Sequence, residues 1–130
     1  MVGEIKKTRF EHAVPILRVS DMAASVRYYV DILGFQNAEW GSDEFTSVNR
    51  DVACIYLCRG SQGHAGTWVW VGVQDAAALY EEYKLSGANI HGTPRNHPYA
   101  LEFHVEDPDG HVLRFGSEPL SDRPFDEWED

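Results

Sequence analysis

The stretch AVPILRVSDMAASVRYYVDILGF, residues 13–35, decides the fold, because its hydrophobic period changes once and its punctuation marks where. Residues 13–20 are apolar and rich in β-branched side chains, as a strand requires. Asp21 then stands where an N-cap belongs, and Met22, Val26, Tyr29 and Leu33 share one helical stripe. Gly34 follows as the residue that ends such a helix. The passage TWVWVGVQDAAALYEEY, residues 67–83, repeats the pattern. A β-rich run over 67–73 leads to Asp75 as cap, to Ala76, Leu79 and Tyr83 as stripe, and to Gly87 as stop. At an offset of 54, Val19, Asp21, Ala23, Ala24 and Tyr29 fall on Val73, Asp75, Ala77, Ala78 and Tyr83, which makes the chain an internal repeat.

After each helix come three short strand candidates set off by turn residues. They lie at about 36–40, 44–49 and 52–59 in the first half, and 89–93, 100–105 and 111–116 in the second. Both halves read βαβββ, an α+β fold of one domain over residues 1–117, with module one at 10–60 and module two at 66–117. The link over 59–66 carries Gly60, Gly63 and Gly66, the composition of a flexible connection. Asp107-Pro108-Asp109-Gly110 predicts a tight hairpin before the last strand. Each module's helix covers one sheet face and leaves the other bare, so the bare faces must find cover between modules or between chains. Residues 118–130 read as an acidic tail, surface-bound or disordered, which Phe125 and Trp128 could dock.

The 130 residues hold 11 basic against 21 acidic side chains, a net charge of −10 that opposes nucleic acid and anionic membranes as partners. No apolar run approaches the roughly 18 residues of a membrane span. The first ten residues mix Glu4, Lys6, Lys7 and Arg9 without a signal-peptide core, so a cytoplasmic location is expected. Cys54 and Cys58, four residues apart on one strand, would stand about 13 Å apart, too far for a disulfide.

With residues 101–116, LEFHVEDPDGHVLRFG, added to the two quoted passages, the chain from about Ala13 to Gly116 resembles the vicinal oxygen chelate superfamily. That superfamily includes glyoxalase I, extradiol dioxygenases, fosfomycin-modifying enzymes and bleomycin-resistance proteins. The resemblance implies two βαβββ modules curled around a cleft, commonly completed in a homodimer, with a divalent metal held by His, Gln or Glu in its enzymes. Here the family's first-strand histidine position is Val14, the fifth-strand position is Trp68, and the last-strand glutamate position is Arg114. The fourth, near Tyr56, offers no carboxylate or imidazole. An apolar residue, an indole and a guanidinium do not coordinate a divalent cation, so neither a metal nor another cofactor is expected.

Bleomycin-resistance proteins are the nearer comparison within that resemblance. Their stacking aromatics correspond here to Trp40, Phe45 and Trp70. Strand alternation puts Trp70 on the face of Trp68, and Val112 and Gly116 on the face of Arg114. Tyr56 and Cys58 should line the adjoining wall, with Glu102 and His104 as polar contributors or, for Glu102, as a solvated carboxylate. Arg114 would favour an anionic group on a ligand or pair with Glu102 across the hairpin. Pro15 matches a proline of the family's exchanged N-terminal strand, which implies a swapped homodimer; alternatively it marks a sheet edge.

Three functions follow. The first is a binding protein, with no catalytic residue, that sequesters an aromatic or cationic small molecule, such as an antibiotic of the bleomycin type. The second is an enzyme of the same superfamily, with a displaced metal site using His12, His104 or His111, or metal-free with His104 as general base. The third is a partner-binding module working through the tail with Phe125 and Trp128.

Overall fold

A computed structural model describes residues 4–127. The order is β1 (Ile16–Arg18), α1 (Met22–Arg27) running into a π-helical turn (Tyr28–Ile32), β2 (Gln36–Asn37), β3 (Phe45–Arg50), β4 (Ala53–Cys58), β5 (Trp68–Gly72), α2 (Ala76–Ser86), β6 (Asn89–Asn96), β7 (Leu101–Glu106) and β8 (Val112–Ser117). Two four-stranded sheets result, ordered β1-β4-β3-β2 and β5-β8-β7-β6. In each, the first strand pairs in parallel with the last, Leu17 opposite Leu57 and Val71 opposite Phe115. The fold is the α+β pair of βαβββ modules that the repeat predicts.

The caps stand where the sequence places them. Asp21 accepts from the Ala24 amide and Asp75 from the Ala78 amide, and Gly87 closes α2 in the left-handed conformation at φ 86°. The strands differ from expectation in three places. β1 begins at Ile16 rather than at residue 13, because Pro15 has no N–H to give; its carbonyl still accepts from the Tyr56 amide. β2 stops after two residues where the chain turns through Ala38 and Gly41, which leaves Trp40 in the turn. β6 runs on to Asn96 through a register shift between His91 and Arg95. Pro94 is tolerated there because β6 is an edge strand.

The 59–66 link is not a free tether. Gly63 lies so close to β1 that a Cβ there would come 2.9 Å from the Ile16 carbonyl oxygen, so the link runs along the far edge of β1. The tail is docked on its surface by Asn96, which is 2% exposed. Asn96 Nδ2 donates to the Leu120 carbonyl, Leu120 N to Asn96 Oδ1, and Asp126 N to the Asn96 carbonyl. Phe125 stays half exposed, and Trp128 lies outside the described residues.

One core joins the modules. Leu17, Val48, Ile55 and Leu57 of the first sheet cluster with Phe103, Val105, Leu113 and Phe115 of the second, and with Tyr29, Leu33, Leu79 and Tyr83 from the helical segments. The repeated tyrosines reach across the seam in opposite directions. Tyr29 Oη donates to Asp107 Oδ2 at 2.8 Å, and Tyr83 Oη donates to the Leu33 carbonyl at 2.7 Å. Burial pushes the Tyr83 phenol up to about 12. The helix-free faces of both sheets remain outside this core, and they carry the residues that matter next.

Candidate functional site: two helix-free sheet faces

Alternation sorts the second sheet. Val69, Val71, Phe103, Val105, Leu113 and Phe115 point to the core, so Trp68, Trp70, Glu102, His104 and Arg114 share the opposite face. Trp70 sits directly across from Arg114, and Arg114 from His104. The Trp70 indole lies flat on the sheet over two glycines. A Cβ at Gly116 would approach Trp70 Cζ2 to 2.7 Å, and one at Gly72 would approach Cζ3 to 3.0 Å. Trp70 Nε1 donates to Glu102 Oε2 at 3.2 Å, which pins the ring in plane, yet the residue is 52% exposed. It is a flat, anchored, half-open aromatic platform.

Beneath it, Glu102 is 2% exposed. It is therefore no solvated carboxylate; it is the hub of a network. Arg114 donates to Glu102 Oε1 through Nε at 3.1 Å and also through Nη2, and Nη2 donates onward to Tyr99 Oη at 2.7 Å. The Tyr99 hydroxyl in turn donates to Glu102 Oε1. Burial would raise the Glu102 carboxyl, but the hydrogen bonds from Arg114, Trp70 and His104 outweigh it and hold the group below its ordinary range. The Arg114 charge is thereby spent inside the protein. His104 packs edge-on against Trp68 with ring centroids 5.6 Å apart, and burial keeps its imidazole below the usual value despite Glu102.

The first sheet carries a second aromatic group. Trp40 stacks on Phe45 at 6.3 Å and 24°, and Phe45 meets Tyr56 at 5.2 Å. Cys58 is paired beside Phe45 on the same face and is 4% exposed, while Cys54 Sγ lies 3.2 Å from Ser47 Oγ. The aromatic residues expected to line a single cleft thus form two groups, Trp40, Phe45 and Tyr56 on one sheet and Trp68 and Trp70 on the other. A cavity of about 650 Å³ opens between the β3–β4 turn, the edge of β5 and α2, walled by Ile55, Val69, Leu79 and Trp70. Only Trp70 of the expected site residues borders it; no local pattern marks this cavity, because it exists only where the modules fail to close.

The residues at the family's metal positions do not suit a cation. Arg114 holds Glu102, Trp68 is an indole against His104, and Val14 is aliphatic. Of the three histidines that could have displaced such a site, His12 is exposed ahead of β1. His111 is wholly buried away from that face, with Nδ1 accepting from Thr67 N at 3.0 Å and Nε2 donating to the Arg18 carbonyl at 2.6 Å. Both its nitrogens are used, Nδ1 within the second module and Nε2 in joining it to the first. Among the described residues no three His, Cys, Asp or Glu side chains gather as a metal would need.

Gly116→Ala isolates the platform. Alanine is ordinarily neutral or better than glycine in an extended strand, but here its methyl meets the indole. The expected result is a red-shifted tryptophan emission as Trp70 lifts from Glu102, with global stability changed by no more than about 1 kcal/mol.

Paired βαβββ modules, each with a helix on one sheet face and exposed aromatic side chains on the other, define the class of fold. Residues 9–115 match the profile of the Glyoxalase/Bleomycin resistance protein/Dioxygenase superfamily, and the chain belongs to that superfamily. The bleomycin-binding protein from bleomycin-producing Streptomyces verticillus, solved with copper(II)-bleomycin, is 28% identical with a TM-score of 0.74, over 85% of this chain and 98% of that one. TnmS3, an antibiotic binding protein from Streptomyces sp. CB03234, shares the fold at 20% identity and a TM-score of 0.73, over 88% and 100%. A glyoxalase/bleomycin resistance protein/dioxygenase from Nocardioides shares it at 15% identity and 0.68, over 95% and 93%. No curated protein matched the chain.

Proposed function

We propose that this protein binds and sequesters an aromatic or cationic small molecule, an antibiotic of the bleomycin type among the candidates, on its two aromatic faces without chemical change. The observation that carries the reading is Trp70, laid flat over Gly72 and Gly116 and tied to Glu102, with half its surface open. A planar ring stacked there gains dispersion and apolar burial, and a cation adds about 0.5–2 kcal/mol of cation–π attraction. Trp40, Phe45 and Tyr56 supply a second stacking surface. Trp68, His104 and Cys58 complete the walls, and Glu102 and Arg114 hold the platform rather than grip the ligand.

The two groups lie on separate sheets, so a homodimer that sets one chain's first face against its partner's second would bring them together. Ile5 at 88% exposure and Phe10 at 91% leave the N-terminal segment free to cross to that partner. Sedimentation at about twice 14.7 kDa checks the dimer, and a monomer mass speaks against it. Tryptophan quenching by copper(II)-bleomycin and by a panel of planar aromatics tests the binding. Trp70→Ala is expected to weaken it about 3- to 30-fold, the factor that stacking energies of this size imply. No quenching by any member of the panel would overturn the reading.

A further inference from the structure

We infer that Arg18 is an anion-binding residue of the first aromatic face, so that the ligand carries a carboxylate, sulfonate or phosphate beside its ring system. The inference rests on the ligand-binding reading above and narrows it.

Leu17 and Val19 are buried in the core, so alternation turns Ile16 and Arg18 to the helix-free face. Register completes the placement. Arg18 pairs with Cys58 across β1 and β4, and Cys58 pairs with Phe45 across β4 and β3. Arg18, Cys58 and Phe45 form one row, with Tyr56 in the next, and two strand spacings put Arg18 and Phe45 roughly 10 Å apart at the backbone. Cys58 between them is small and 4% exposed, so the row reads as a cation, a shallow gap and an aromatic stack.

The guanidinium has no anion of its own among the described residues. Arg50 is paired with Glu82, Arg59 with Glu44, Arg114 with Glu102 and Arg123 with Asp122. Arg18 has no such pair among the described residues, and its Nε is buried without a hydrogen-bond partner. A buried N–H left unmet is a cost that native folds rarely carry, and an anion that draws the guanidinium out toward the face would relieve it. A Cβ added at Gly63 would stand 3.6 Å from Arg18 Cβ, so the Gly63 loop helps wall the side chain on the side away from Cys58.

Contrast with the second sheet sharpens the assignment. Arg114 also lies on the helix-free face of its sheet, though on the inner strand β8 where Arg18 is on the edge strand β1, and Glu102 and Tyr99 already engage its Nε and Nη2. An anion arriving there meets a neutralised pair; at Arg18 it meets an uncommitted fork able to take two oxygens at once. The chain's charge of −10 slows an anion's approach but is screened beyond roughly 8–10 Å at ordinary ionic strength, so the local cation governs the bound state.

Calorimetric titration with 2-naphthoate and its neutral isostere 2-naphthamide tests this. The wild-type protein should bind the carboxylate at least about 10-fold more tightly. Arg18→Met, and Arg18→Gln as a second uncharged variant, should abolish the preference while leaving the amide's affinity within about two-fold. Since Arg18 Nε has no hydrogen bond to lose among the described residues, the thermal midpoint should hold. Equal affinity of the wild type for the two probes, or a preference that survives both substitutions, overturns the anion site and leaves the aromatic one standing. Failure of both probes to bind overturns the two together.

Discussion

Asp107→Ala should cost about 3 kcal/mol, because it orphans three donors in a place water does not reach. Asp107 is 4% exposed and accepts from Tyr29 Oη at 2.8 Å and from the Asp109 and His111 amides at 2.9 Å each. It is the point where the first module's helical segment grips the second module's hairpin. Asp109 adds bonds from Ser20 N and Ser25 Oγ, and His111 holds the Arg18 carbonyl, but neither replaces the lost acceptor of Tyr29. For a chain of this size the thermal midpoint should fall on the order of 10 °C. Asp107→Asn, which keeps an acceptor oxygen, should lose less. A midpoint unchanged in the alanine variant would mean that the seam is held by apolar packing alone.

Glu102→Ala has the second largest expected effect, and it touches both stability and binding. It strips Arg114 of its counter-charge and Trp70 of its acceptor at once. A fully buried pair broken this way loses about 3–5 kcal/mol; with Arg114 27% exposed, about 2 kcal/mol is the fitting figure. The indole should then move, so emission shifts to the red and affinity for planar ligands drops with the platform. Trp68→Ala, which leaves the network whole, should weaken binding without the loss of stability.

The two carboxylates also set opposite pH slopes. Glu102 is held below its ordinary range, so its ionised form contributes stability above that range and loses it as pH falls through the lowered value. Asp107 is raised, first by burial and despite its hydrogen bonds, so its contribution is fullest at low pH and declines as pH rises through the raised value. Denaturant melts across the acid range should therefore show Glu102→Gln flattening the low-pH loss and Asp107→Asn removing a contribution of the other sign. The same acid limb in wild type and Glu102→Gln would place the ion pair outside the stability balance.

Local pattern was enough for the repeat, the caps at Asp21 and Asp75, the stop at Gly87 and the face of Trp68, Trp70 and Arg114. Each of these depends on neighbours within one turn or one strand pair, where periods of 3.6 and 2 dictate direction. The pairing of Arg114 with Glu102 was open to the same reasoning, because the hairpin brings strand faces together in fixed order. What decided between that pair and a ligand anion was burial, and burial is a property of the packed sheet.

Packing between modules settled the rest. His111 and Asp107 read as hairpin residues beside a turn, yet they are the polar seam of the core, since their partners Tyr29, Thr67 and Arg18 lie 44 or more residues away in sequence. Within one chain Trp40, Phe45 and Tyr56 group on the first sheet and Trp68 and Trp70 on the second, a division that depends on how the strands pair into two separate sheets. The unmet nitrogen of Arg18 belongs to the same class of fact. A side chain's type announces what it can bond, but only the tertiary arrangement says which bonds are left unmade, because it alone brings or withholds partners distant in the chain.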